Sequence, residues 1–199
     1  MTYLDFLAQI RRELEEPSEG VWADASILVW TNQAVRDFAK RTHVERDEVY
    51  ATTTIGEHLY EMPEYTLEPV QVFYDNLPLQ RVDIDQFSTL AESSGTPSYW
   101  AATNTALMLW PVPDSEGTIR YFRYRYPDPI ESDDDMPFAG EYDDALAYYV
   151  KAKATEQIND WQSAGELRRM YYEATDMVMG QQNMERQGAM TSTSPREVY

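Results

Sequence analysis

Cysteine is absent from the 199 residues, which excludes a disulfide framework, a thiolate nucleophile and a cysteine-ligated metal and suits a reducing compartment. Histidine is almost as scarce: His43 and His58 lack the paired spacing of a zinc-binding helix, and neither is expected to be catalytic. The 8 glycines form neither a phosphate-cradling loop nor a dinucleotide fingerprint, and no serine sits in a nucleophile elbow. No window approaches the roughly 20 apolar residues of a membrane span. The opening MTYLDFLAQIRRELEE sets charges inside its apolar pattern, unlike a signal peptide. The expectation is therefore a protein that is not an enzyme, has no cofactor and meets no membrane.

Positive charge is also in short supply. Against 35 acidic residues stand 16 Lys and Arg, a net charge of −19, which argues against sequence-independent binding to phosphate backbones. The imbalance is uneven: residues 1–42 carry −2, residues 43–130 carry −9 and residues 131–199 carry −8. Asp133, Asp134 and Asp135 lack the alternating ligands, central glycine and closing glutamate of a calcium loop, so they read as an exposed acidic loop. Pairs such as Asp83 and Asp85 are uninformative in a chain with so many carboxylates.

What the chain does have is 43% hydrophobic and 13% aromatic residues, enough for one domain with an inserted subdomain. Tyr3, Phe6, Leu7, Ile10 and Leu14 recur at helical spacing behind a Thr2/Asp5 capping box. After a turn at Pro17–Gly20, Asp24 can start a second helix with Leu28, Thr31, Val35 and Phe38 on one face, ending near Arg41. From residue 48 to 126 the pattern changes to short runs of β-branched and aromatic residues, read as three successive hairpins turning at Ile55-Gly56, Asp75-Asn76 and Thr103-Asn104. In TIRYFRYRY both faces carry aromatic stems, so neither is expected to be plainly dry. Helical period returns at Tyr142, Leu146, Tyr149, Val150, Ala154, Ile158 and Trp161. It continues, behind a Ser163/Glu166 capping box, at Leu167, Met170, Tyr171, Ala174, Met177 and Val178; these two helices are expected to pack antiparallel. The last stretch is small and polar and predicts a flexible tail.

Two groups of side chains stand out. Trp100 and Trp110 flank the third hairpin; packing in a core or between subunits is preferred to a stacking platform for sugars or bases. Arg120, Arg123 and Arg125 form the densest basic cluster, suited to carboxylates of this chain or of a neighbouring copy.

Three ordered segments carry a resemblance. MTYLDFLAQIRREL with ADASILVWTNQAVRDFAKRT, including Trp30, Asn32 and Ala34, is one. GTPSYWAATNTALMLWPVPDSEGTIRYFRYRYPDPI is the second, and MPFAGEYDDALAYYVKAKATEQ, with Pro137, Tyr142, Ala145, Leu146 and Tyr149, is the third. Together they resemble the head-to-tail connector (adaptor) proteins of tailed bacteriophages. The resemblance implies an α+β fold: a four-helix bundle core built from a helical pair at 1–44 and a second pair at 131–185, an inserted antiparallel β-hairpin subdomain at 45–130, and a flexible tail at 186–199. It further implies a virion protein of the neck, assembled in the host cytoplasm. About twelve copies would form a ring under the portal protein, extend the DNA channel and offer a platform to the next neck or tail protein. Genomic DNA would pass without specific binding, since an acidic wall repels phosphate. Ser194, Pro195, Arg196, Val198 and Tyr199 are then the expected portal contacts. Trp100, Trp110, Arg120, Arg123 and Arg125 are the expected contacts between copies or with the next ring. The rival expectations are another neck or tail-completion protein, or a carbohydrate- or ligand-binding module using Trp100, Trp110 and nearby carboxylates.

Overall fold

A computed structural model describes residues 1–16, 20–132 and 134–191. By backbone contacts the chain divides into Met1–Thr42 with Asp128–Tyr199, a helical unit, and His43–Pro127, a β unit.

In the helical unit, α1 (Tyr3–Glu13) opens with the expected capping box: Asp5 N–H donates to Thr2 Oγ1 at 3.2 Å and Thr2 N–H to Asp5 Oδ2 at 3.3 Å. Its buried face is Tyr3, Phe6, Leu7 and Ile10. Helix α2 (Asp24–Thr42) buries Ile27, Thr31, Ala34, Val35, Phe38 and Ala39. Two later helices, α4 (Asp143–Gln157) and α5 (Trp161–Thr191), pack together, and α2 packs on both. Alanines 145, 147, 152 and 154 are buried on α4 beside Leu146 and Val150, so the helices approach closely. Trp22 is buried and donates its indole N–H to the Ala154 carbonyl at 3.1 Å.

The expected four-helix bundle core is not what forms. Helices α2, α4 and α5 pack against one another as a three-helix core, and α1 rests on α4. At 11 residues against 31 for α5, α1 is about 16 Å long and α5 about 46 Å, too unequal for four matched staves. Its C-terminal end is also tied down by polarity: buried Arg11 donates to Asp24 Oδ1 at 2.9 Å and to the Trp22 carbonyl at 3.0 Å. Helix α5 begins earlier than expected, with Asp160 Oδ1, not Ser163, accepting an N–H of the first turn, that of Ser163, at 3.1 Å. Ile158 and Trp161 consequently fall at the junction and are exposed. Its buried face is Ala164, Tyr171, Thr175 and Val178, leaving Met170 and Met177 outside. The segment expected as tail from residue 186 is helical as far as Thr191.

The β unit holds two four-stranded sheets and a short helix, α3 (Ile84–Ser88). Strands β1 (Arg46–Thr52), β8 (Thr118–Arg125), β3 (Thr66–Tyr74) and β4 (Leu77–Pro78) form the first sheet in that order. The second is β2 (Leu59–Glu61), β7 (Ala106–Trp110), β6 (Tyr99–Ala102) and β5 (Gln80–Arg81), with β5 parallel to β6. Two expected hairpins form. Asp75 and Asn76, at φ 46° and 66°, make a type I′ turn between β3 and β4, and β6 pairs with β7 around Thr103-Asn104.

The hairpin at Ile55-Gly56 does not form. There β1 joins β8 and β2 joins β7, so the segment crosses between sheets. Seven cross-strand partners along β8 outweigh what a three-residue strand offers, and Thr53 is fastened to Gly117 by N–H···O at 2.8 Å. Residues 77–82, LPLQRV, which follow the Asp75-Asn76 turn, also divide between the sheets, β4 to one and β5 to the other, with buried Leu79 between. The shared core is Met62, Val72, Tyr74, Leu79, Trp100, Leu107, Leu109, Ile119 and Tyr121. Strand β8 therefore has a dry face after all: Ile119 and Tyr121 point into this core, while Arg120 and Phe122 face out. Gly117 is required beside it, because a Cβ there would lie 2.4 Å from the ring of buried Tyr74.

Candidate interaction surfaces

Cross-strand register decides where the arginines go. On the outer face of the first sheet, Glu48 lies opposite Phe122, and Arg120 opposite both Tyr50 and Phe73. Arg120 reaches Glu48 at 3.3 Å and stacks 4.3 Å from the Phe73 ring centre; Arg46 stacks 4.5 Å from Phe122. Phe73 and Phe122 meet edge to face at 6.3 Å, and Tyr50 stands 63% exposed beside them. Such a face offers aromatic area with little rotamer freedom left to lose on contact.

Arg123 has the opposite parity and is buried. It donates to Asp47 Oδ2 at 3.0 Å, to Thr66 Oγ1 at 2.6 Å and to the Glu64 carbonyl at 3.0 Å. The guanidinium holds the Asp47 carboxyl below the usual carboxylate range. Arg125 is half-buried and donates to the Tyr126 carbonyl at 3.2 Å. Trp100 is 1% exposed, in the core, with the Arg81 guanidinium 5.3 Å from its ring centre.

Trp110, in contrast, lines a groove of about 570 Å³ with Gly56, His58, Phe87, Leu90, Leu109 and Val112. Its indole N–H donates to the Ala91 carbonyl at 3.0 Å, which fixes the ring against the wall. Of the expected contact set, Trp110, Arg120 and Arg125 thus reach the surface, while Trp100 and Arg123 are interior. Ser194, Pro195, Arg196, Val198 and Tyr199 lie outside the described residues. His43 stacks on Tyr124 at 4.7 Å and His58 is on the groove rim. Among the described residues no group of three or more Asp, Glu or His is placed to hold a metal ion, and none of the described helices is long and apolar enough to cross a membrane.

Asn32, singled out in the Trp30, Asn32, Ala34 segment, has a definite task. Its amide donates to the Ile130 carbonyl at 3.1 Å and accepts the Ile130 N–H at 2.7 Å, so it clamps the backbone where the chain re-enters the helical unit. No local pattern announces a partner 98 residues away.

These surfaces suit recognition. No curated protein matches the sequence. A family model described as SU10 adaptor protein matches residues 1–198. The chain therefore belongs to the SU10 adaptor protein family, a structural adaptor family of phages whose members are virion components that meet other phage head or tail proteins.

Proposed function

We propose that the protein is a head-to-tail adaptor: about twelve copies form a closed ring under the portal protein, extend the DNA channel through the virion neck and present a platform to the next neck or tail protein. The match over residues 1–198 is the observation that carries this reading. Charge supports it, because −19 per copy lets packaged DNA pass during ejection without the salt-dependent retention a basic lining would cause. Trp110, the outer sheet face around Arg120, and Arg125 at the end of β8 are the contacts assigned to neighbouring copies or to the next ring. Ser194, Pro195, Arg196, Val198 and Tyr199 are assigned to the portal.

The test is co-sedimentation with purified portal rings of the full chain and of a chain ending at Thr191. The reading expects the full chain to bind and the shortened one to lose most of its affinity. Equal binding moves the portal contact onto the helices, and no binding by either removes the portal as partner.

A further inference from the structure

The helical unit contains a polar pocket that the adaptor reading does not use. About 140 Å³ in volume, it is lined by Asp37, Arg41, Lys153, Arg168, Tyr149 and Tyr172 from α2, α4 and α5. Two carboxylates serve it. Asp37 Oδ2 accepts from Arg41 Nε at 2.6 Å and from the hydroxyl of buried Tyr171 at 2.8 Å. Glu156 pairs with Arg168 and lies 3.8 Å from Lys153.

Three cations therefore face two anions, an excess of one positive charge within a chain of net −19. The donors are not used up. Arg41 is held through Nε alone, with its guanidinium 4.9 Å from the Tyr172 ring centre, so its terminal amino groups remain for another acceptor. Lys153 has only the long contact to Glu156 and lies 5.8 Å from the Tyr149 ring centre. The volume takes a carboxylate and a few waters, at about 30 Å³ per water. The arginines of the β unit contrast with this: Arg81, Arg120 and Arg123 each hold a carboxylate of the same unit.

We infer that this pocket receives a carboxylate from a second copy of the chain. The occupant follows from charge. Copies of an acidic chain repel one another side by side, and a cationic pocket with unused donors turns one such contact attractive and fixes its register. A guanidinium with free terminal N–H groups is the donor whose geometry matches a carboxylate. The inference rests on the ring reading above, since it needs copies held together.

Carbodiimide cross-linking tests it, because that reagent joins an amine only to a carboxylate in contact. An equal mixture of ¹⁵N-labelled and unlabelled full chain is assembled on portal rings, cross-linked and digested. The expected product joins Lys153 to an Asp or Glu of a differently labelled copy. Arg41→Gln with Arg168→Gln should lower its yield about tenfold, the scale of one charge-assisted contact, and leave other cross-links between copies in place. If Lys153 joins only Glu156 of its own chain while other links between copies form, the ring stands and the pocket assignment is overturned. If no link between copies forms anywhere, the ring reading fails and this inference fails with it.

Discussion

Arg123 of the β unit and the pocket arginines of the helical unit, Arg41 and Arg168, are used differently. In the β unit Arg123 is drawn inside by strand parity and becomes part of the structure, fastening Asp47 and the 63–66 turn. In the helical unit Arg41 and Arg168 stay half out of the protein, 41% and 48% exposed at the side chain, around a pocket that still has donors to offer. A residue type that looks like a binding patch in one place is thus a structural pin, and in the other a surface available to a partner. Burial separates the two roles, since a buried charge that loses its partners costs far more than an exposed one.

The contrast can be broken by substitution. The largest effect belongs to Trp100→Ala, which empties the β-unit core and should cost about 3–5 kcal/mol in chemical denaturation; a cost under about 1 kcal/mol would mean the indole is not packed as described. Next, Arg123→Met should cost about 2–4 kcal/mol, because the carbonyls and the hydroxyl it serves lose their donor. Arg41→Met should cost under about 1 kcal/mol. Denaturation midpoints of the two variants give the comparison directly, and equal losses would erase the distinction between pin and surface. Thr2→Ala removes the α1 cap and should cost about 1 kcal/mol by thermal melting, with no change in portal binding.

The smallest effect is in acid. Because Arg123 holds the Asp47 carboxyl below the ordinary aspartate range, Asp47 adds stability that is present above the pKa of the unfolded chain and is lost as pH falls through the lower folded value. Melting temperatures from pH 6 to 3 should fall less steeply for Asp47→Asn than for the parent; identical slopes would show that the pair adds nothing.

Local chemistry was legible in the sequence where partners lie within a turn or two. The Thr2/Asp5 cap, the α2 stripe from Thr31 to Phe38 and the Asp75-Asn76 turn all follow from neighbours a few residues apart. Elsewhere a distant partner decides. Ile55-Gly56 looks like a hairpin turn until β8 claims β1. The first helical pair looks like half a bundle until Arg11 ties α1 to the start of α2. Ser163 with Glu166 looks like a cap until Asp160 takes that role.

The candidate surfaces divide the same way. The alternation in TIRYFRYRY puts Ile119, Tyr121 and Arg123 on one face, so period two alone places Arg123 with the buried residues of β8. The groove beside Trp110 was hidden, because its walls come from residues 56–58 and 87–94. The cationic pocket was half visible as Asp37 and Arg41, four apart on one helix, and half hidden on α4 and α5.

The account stands most directly on electron microscopy of the full chain bound to purified portal rings. It predicts a closed ring of copies coaxial with the portal, continuing its channel with an acidic wall. Single copies scattered on the portal's flank, or a plug across the channel, would contradict it.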